Sequence, residues 1–362
     1  MNGIFKVARD RWLRRSVLFL YLLTAPAVAI PVYRVILHAD LRGHDIYWYW
    51  LEGNRLYRGE NPYARILRSN MLDNREMYPT CLPLFYVACA AGHVLGIRKF
   101  DEFIPPWTVV CIAAHLAIGY ALLAIVSRRG GLAAGLLGAG FWLINRFSLN
   151  VLGARSLDGL PILLLLVSIA LHPRRPGTSR LLFGLSLSIK HIAVFLTPLY
   201  VLWAAKSAEG KKPAGGRGRR ILTSCGQILL FPVLISVPFA IWNPHAFAKS
   251  LLFPGTRFPA SEVGAVSLDV YLGLVGLPAK APMLLIMVLI YIAAARGSLQ
   301  RYGATLLCLA GFADLNSVVF PHYFAWSAPF LPLAATEWKA FQRADQDKRP
   351  EEASSDSTSR LT

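Results

Sequence analysis

Residues 221–242 read ILTSCGQILLFPVLISVPFAIW, with no charged side chain. As a helix rising 1.5 Å per residue, such a run is about 33 Å long, the thickness of a bilayer's hydrocarbon core. Further apolar runs occupy 16–37 and about 82–97, 105–126, 131–147, 157–171, 181–191, 192–205, 281–295, 303–320 and 323–336. The runs are continuous rather than alternating, which predicts membrane helices and excludes a β-barrel. Only 16% of the 362 residues are charged and 55% are hydrophobic, whereas a soluble domain carries about 25% charge. A soluble enzyme, a secreted disulfide module, a coiled coil and a disordered chain are thereby excluded. The expected fold is an all-α polytopic membrane protein of roughly 10–11 segments.

The formal net charge is +18. Its placement points to topology rather than to nucleic acid. Lys6, Arg9, Arg11, Arg14 and Arg15 precede the first run, and Arg174, Arg175 and Arg180 lie between later ones. Lys206, Lys211, Lys212, Arg217, Arg219 and Arg220 form a third cluster, and Arg296 and Arg301 flank a fourth short loop. Short basic loops between apolar runs are the positive-inside pattern, and anionic membrane lipids are the expected partners of this charge. Residues 1–15 then form a basic cytoplasmic N-terminus. Residues 16–338 form a single transmembrane domain with outer loops at about 38–80 and 243–280, and 339–362 a disordered cytoplasmic tail. Ala27-Val28-Ala29 resembles a signal-peptidase site, but the apolar run continues to Leu37, which favours an uncleaved first helix. Strict alternation fails between an outer loop 38–80 and an inner loop 172–180. Either Arg128-Arg129 faces outward or one segment between 80 and 156 does not cross.

Cys81, Cys89, Cys111, Cys225 and Cys308 all fall in apolar runs without a C-x-x-C pair. They read as small buried hydrophobes, not as a disulfide framework or thiolate site. No phosphate-binding glycine loop, H-E-x-x-H or G-x-S-x-G motif occurs, so no nucleotide fold, metal or cofactor is signalled.

The loop 38–80 holds six of the chain's twenty acids together with many Tyr and Trp. Residues 45–58 are expected to form an amphipathic helix on the outer face, followed by a turn at Gly59-Glu60-Asn61-Pro62. Asp45, at the head of that helix, is placed either as a general base or as the helix N-cap. Asp40 is a weaker candidate of the same kind. Lys190-His191 interrupts an apolar hairpin formed by 181–191 and 192–205, where a charge requires a partner. A substrate phosphate, an internal ion pair or a snorkelling lysine would each satisfy it. Arg155 and Asp158, three apart, read as a pair on one helix face. Arg257 is placed on the second outer loop to reach a phosphate, or as an ordinary loop arginine. His322, in Phe320-Pro321-His322-Tyr323-Phe324, can donate to a phosphate or shuttle a proton. Asp314 and Asn316 read as a polar contact between helices. Residues 267–280 read as a short interfacial helix broken at Pro278.

The order of these features resembles the GT-C superfamily of membrane glycosyltransferases, and glycosyltransferase family 87 in particular. The stretch from His44-Asp45 through Gly59-Glu60-Asn61-Pro62-Tyr63 looks like that family's aspartate, helix and G-x-x-P-Y turn. Tyr78-Pro79-Thr80-Cys81-Leu82-Pro83-Leu84 resembles its Y-x-P-P-L stretch, with one proline displaced. Leu185 to Lys190, followed by Thr197-Pro198, resembles its lysine hairpin, and Phe320 to Trp326 its late histidine and aromatics. Where the family often has G-Q-x-N, this chain has Gly153-Ala154-Arg155-Ser156. The resemblance implies a GT-C-like bundle and an inverting transfer of a sugar, mannose in related enzymes, from a polyprenyl-phosphate donor to a lipid or glycan acceptor. The reaction would occur on the outer face of the cell (plasma) membrane. Asp45 would be the general base. Lys190, His191, His322, Arg257 and Arg155 would hold the donor phosphate, and Asp40, Tyr63 and Asp158 would position the acceptor or the site. A transporter or lipid flippase is the alternative; it would fit helices with a few buried charges, but no internal repeat is visible.

Overall fold

The computed structural model describes residues 41–68, 78–206, 216–256, 267–274, 276–316 and 320–338, together with Ser16 and Tyr21. Most of the first apolar run, Asp40, Arg257 and the tail lie outside these residues. Among the described residues there are helices and turns but no strand. Three helices are long and apolar enough to cross a membrane: Phe100–Gly130, Arg217–Trp242 and Pro278–Arg296. The bent pair Leu132–Ile144 and Arg146–Gly153 would make a fourth.

Helix α1 (Asp45–Tyr57) is the expected amphipathic helix. It ends at Gly59, whose φ of +80° reverses the chain before the 3-10 turn Pro62–Arg68. Its inner face sets Tyr49 edge-on to Phe85 and packs Trp50 on His93 of α2 (Leu84–Val94). At 11 residues, α2 is about 16 Å long, too short to cross 30 Å of hydrocarbon. The chain then returns to α1, because Phe100, at the start of α3 (Phe100–Gly130), packs on Tyr47 and Trp50. The run 82–97 therefore remains beside α1.

From α3 onward the helices alternate between two ends of a bundle. Helix α3 finishes with Arg129 over Tyr302. Helices α4 (Leu132–Ile144) and α5 (Arg146–Gly153) lead back through a 46° bend at Asn145. The Asn145 side chain accepts from the Phe147 amide, and the Ser148 hydroxyl donates to carbonyls of the broken turn, including that of Asn145. The bend thus leaves few backbone groups unsatisfied, as an apolar medium requires. Helices α6 (Gly159–Leu171) and α7 (Pro176–Ile189) form an antiparallel pair. An extended hinge at Lys190 then leads through the 3-10 turn His191–Leu196 into α8 (Thr197–Lys206), the expected hairpin.

Helix α9 (Arg217–Trp242) crosses α7 so closely that a Cβ on Gly184 would overlap the Ile228 carbonyl oxygen. Helices α10 (Pro244–Thr256) and α11 (Leu268–Tyr271) precede α12 (Leu277–Arg296). Pro278 begins α12 rather than breaking a helix. In the first turn its missing N–H would have no intrahelical acceptor in any case. Helix α13 (Arg301–Leu315), the 3-10 turn Pro321–Tyr323, α14 (Phe324–Ser327) and helical residues 330–338 complete the bundle.

Candidate functional site

A cavity of about 610 Å³ opens at the α1 end of the bundle. It is built from α1, the residues before α2, the turn 154–156, the Lys190 hinge, α12 and the 3-10 turn holding His322. Asp45, Trp48, Tyr49 and Glu52 line one side. Their i, i+3, i+4, i+7 spacing puts all four on one face of α1. Asp45 is half-buried and opens the helix, but the N-cap is His44 and no side chain caps the helix. The Asp45 carboxylate makes no hydrogen bond or ion pair among the described residues. It faces the cavity, and its charge acts on Lys190 and His322.

Beside the cavity floor lies a buried ion pair. Lys190 Nζ, in a residue 6% exposed, donates to Asp158 Oδ2 at 2.8 Å, and Asp158 is fully buried. Trp326 Nε1 donates to the other carboxylate oxygen at 2.7 Å, and the Ser156 hydroxyl also donates to Oδ2. Three donors from separate elements therefore fix one carboxylate. This corrects one sequence expectation and decides between the alternatives of another. Asp158 pairs with Lys190 rather than with Arg155, and the partner of Lys190 is internal. Arg155 adopts φ +45°, its carbonyl accepts from Trp107 Nε1 at 2.8 Å, and its side chain is not among those lining the cavity.

His191 and His322 both line the cavity. His191 Nδ1 is buried without a hydrogen-bond partner. The His322 ring lies between Phe320 and Tyr323, with centroids 5.3 and 4.8 Å away. Burial lowers the His322 pKa below the ordinary imidazole value although the Asp158 charge opposes this, so the neutral ring dominates at pH 7. Tyr63 does not reach the cavity. It is fully buried, its hydroxyl donates to the Cys81 carbonyl at 2.8 Å, and its ring packs on Phe247. Asn316 lines the cavity, whereas Asp314 is exposed.

Sequence reasoning missed Glu52. Its carboxylate accepts from Arg55 at 2.6 Å and Arg65 at 2.8 Å, while Oε2 is buried without a hydrogen-bond partner. Burial raises its pKa despite both arginines. The seven-residue spacing from Asp45 was the available signal. Ser156, Lys280 and the indole of Trp326 were missed as well; Trp326 reaches Asp158 across 168 positions, whereas Ser156 meets it two positions away.

The opposite wall of the cavity is apolar, with Ile192, Val194, Phe195, Met283, Leu284 and Phe312. Val194 and Leu284 of this wall are 45% and 50% exposed, so part of the apolar wall is accessible. No group of three or more metal-ligating side chains occurs among the described residues. The arrangement can hold an amphiphile, with its polar part among Asp45, the histidines and Lys190 and its apolar part along the accessible apolar wall. No family model, curated protein or solved structure matches this chain.

Proposed function

We propose that the chain is an integral membrane glycosyltransferase of the GT-C-like kind, with roughly 10–11 membrane segments. It moves a sugar, mannose by the resemblance, from a polyprenyl-phosphate donor to a lipid or glycan acceptor on the outer face of the plasma membrane. The observation that carries this reading is the cavity itself, in which a carboxylate without a partner among the described residues, two histidines and an accessible apolar wall meet in one space. The motifs around Asp45, Lys190 and His322 support the same reading.

In this mechanism the acceptor hydroxyl lies against Asp45. The carboxylate takes the hydroxyl proton as the oxygen attacks the anomeric carbon from the face opposite the phosphate. The carbon–oxygen bond to phosphate breaks with inversion, and polyprenyl phosphate leaves with the bonding pair. His322 and His191 donate hydrogen bonds to that phosphate. Lys190, with one proton committed to Asp158, supplies a partly offset positive field. The donor's lipid tail leaves through the opening beside Val194 and Leu284.

Isolated membranes containing wild type or Asp45→Asn, given a polyprenyl-phosphate-mannose donor and a host lipid extract, test this. Wild type should form a new glycolipid. The equally expressed variant should be slower by about 100- to 10,000-fold, the usual weight of a general base. Equal activity would remove Asp45 from the mechanism. No transfer by wild type from any polyprenyl-phosphate sugar would overturn the function.

A further inference from the structure

The end of the bundle remote from the cavity gathers positive charge that the proposed reaction does not use. Arg129, in the last turn of α3, holds its Cζ 4.6 Å from the centre of the Tyr302 ring. Arg301, which opens α13, holds its Cζ 5.2 Å from the same ring. The ring face attracts each cation, but the two guanidinium groups repel one another. The nearby carboxylate, Glu337, binds backbone amides through one of its oxygens. Its Oε2 accepts the Tyr302 amide at 2.8 Å and the Gly303 amide at 3.2 Å, so it caps α13.

Arg180, in the first turns of α7, donates to the neutral side-chain oxygen of Gln227 at 2.9 Å. Among the described residues, none of these three arginines forms an ion pair. His172 lies in the same cluster, 6% exposed, with Nδ1 3.2 Å from the Ser179 hydroxyl. Its Nε2 and the Nε atoms of Arg180 and Arg301 are buried without hydrogen-bond partners. The charges of both Arg301 and Arg180 act on the His172 ring, so both lie within electrostatic reach of it.

We propose that Arg129, Arg180 and Arg301 form a binding site for a phosphate group at the end of the bundle opposite the cavity. Guanidinium forks match phosphate oxygens in pairs, and an anion between them would offset a repulsion that Glu337, the one carboxylate the structure places beside the Tyr302 ring among the described residues, counters with a single charge. Arg129 is exposed, so the site opens to the surface. A phospholipid headgroup and free inorganic phosphate present the same chemistry to it.

The test uses the full chain in phosphatidylcholine nanodiscs, with thermal unfolding followed by tryptophan fluorescence. Inorganic phosphate is titrated in one arm at constant ionic strength with chloride. In the other, phosphatidylglycerol replaces part of the phosphatidylcholine. A saturable rise in Tm is expected in at least one arm. Arg129→Gln, a change at an exposed position that leaves the fold intact, should weaken the apparent affinity about tenfold, the scale of one charged hydrogen bond. Arg301→Gln should abolish the rise. A rise with phosphate identifies a free-phosphate site, and a rise with phosphatidylglycerol alone a lipid-headgroup site. No rise in either arm overturns the proposal. So does a rise reproduced by chloride, or one of equal size and midpoint in Arg129→Gln. Neither arm measures sugar transfer, so failure here is separable from failure of the proposed reaction.

Discussion

Asp158 has no exposed surface, yet it accepts hydrogen bonds from Lys190, Trp326 and Ser156. A buried carboxylate without donors would carry a large desolvation cost, and so would a buried ammonium without an acceptor. Removing one partner leaves the other uncompensated, which costs about 3–5 kcal/mol. Asp158→Asn and Lys190→Met should therefore each lower Tm strongly, and the double variant should lie above the lower single one. A double variant as unstable as the sum of the two would show that the charges do not support one another. The residue types at this site were legible in the sequence, but the pairing was not. Arg155 is three positions from Asp158, whereas Lys190 is 32 positions away, and local spacing favours the wrong partner. His172 offers a second test. Burial, followed by the charges of Arg301 and Arg180, lowers its pKa from 6.5 to about 4. The unfolded chain therefore binds a proton between these values that the folded chain refuses, so stability is full above pH 6.5 and falls as the pH drops toward 4. Each pH unit in that window is worth about 1.4 kcal/mol, or about 3 kcal/mol in all. Thermal unfolding between pH 4.5 and 7.5 should show this slope in wild type and a shallower one in His172→Gln. Equal slopes would assign the loss to other groups.

The elements carry a different lesson about what packing hides from sequence. The 45–58 helix and the 181–205 hairpin were legible because each combines one periodic pattern with a polar interruption, and the structure has both. The segment 82–97 was apolar enough to suggest a crossing, but its helix stops at Val94 after 11 residues and remains against α1. What holds it there is close contact at Gly53. A methyl at that position would overlap the Cβ of Cys89 and press on the α2 backbone. Gly53→Ala must therefore separate α1 from α2, an overpacking cost of about 1–3 kcal/mol, and would tilt the helix that carries Asp45. Gly92→Ala is the control on α2, since nothing lies within 4 Å of its added Cβ. Helix propensity there should make it neutral or stabilising by up to about 1 kcal/mol. Thermal unfolding of the two variants should separate them. Equal effects would mean that the α1–α2 contact is not tight.

At the scale of the whole molecule, the bundle separates its chemistry between two ends and leaves part of the cavity's apolar wall accessible. The polar cavity groups lie at the end of α1, and Arg129 and Arg301, without an ion pair among the described residues, at the end where α3 finishes and α13 begins. The separation of basic loops was readable along the sequence. The accessible apolar wall, a candidate opening for a lipid tail, was not, because it is built where the 3-10 turn after Lys190 meets α12, about 90 residues later. If a lipid tail leaves by that opening, filling it should penalise only substrates that have a long tail. Leu284 is half exposed and lines the cavity, so Leu284→Trp adds bulk at the opening without touching Asp45 or the Asp158–Lys190 pair. The KM for a long polyprenyl-phosphate donor should rise roughly tenfold, the equivalent of about 1.4 kcal/mol of lost binding. A donor with a chain of one or two isoprene units should be used as well as by wild type. A purely structural role for Leu284 would raise KM equally for both donors or lower kcat alone, and either pattern would move the tail out of this opening.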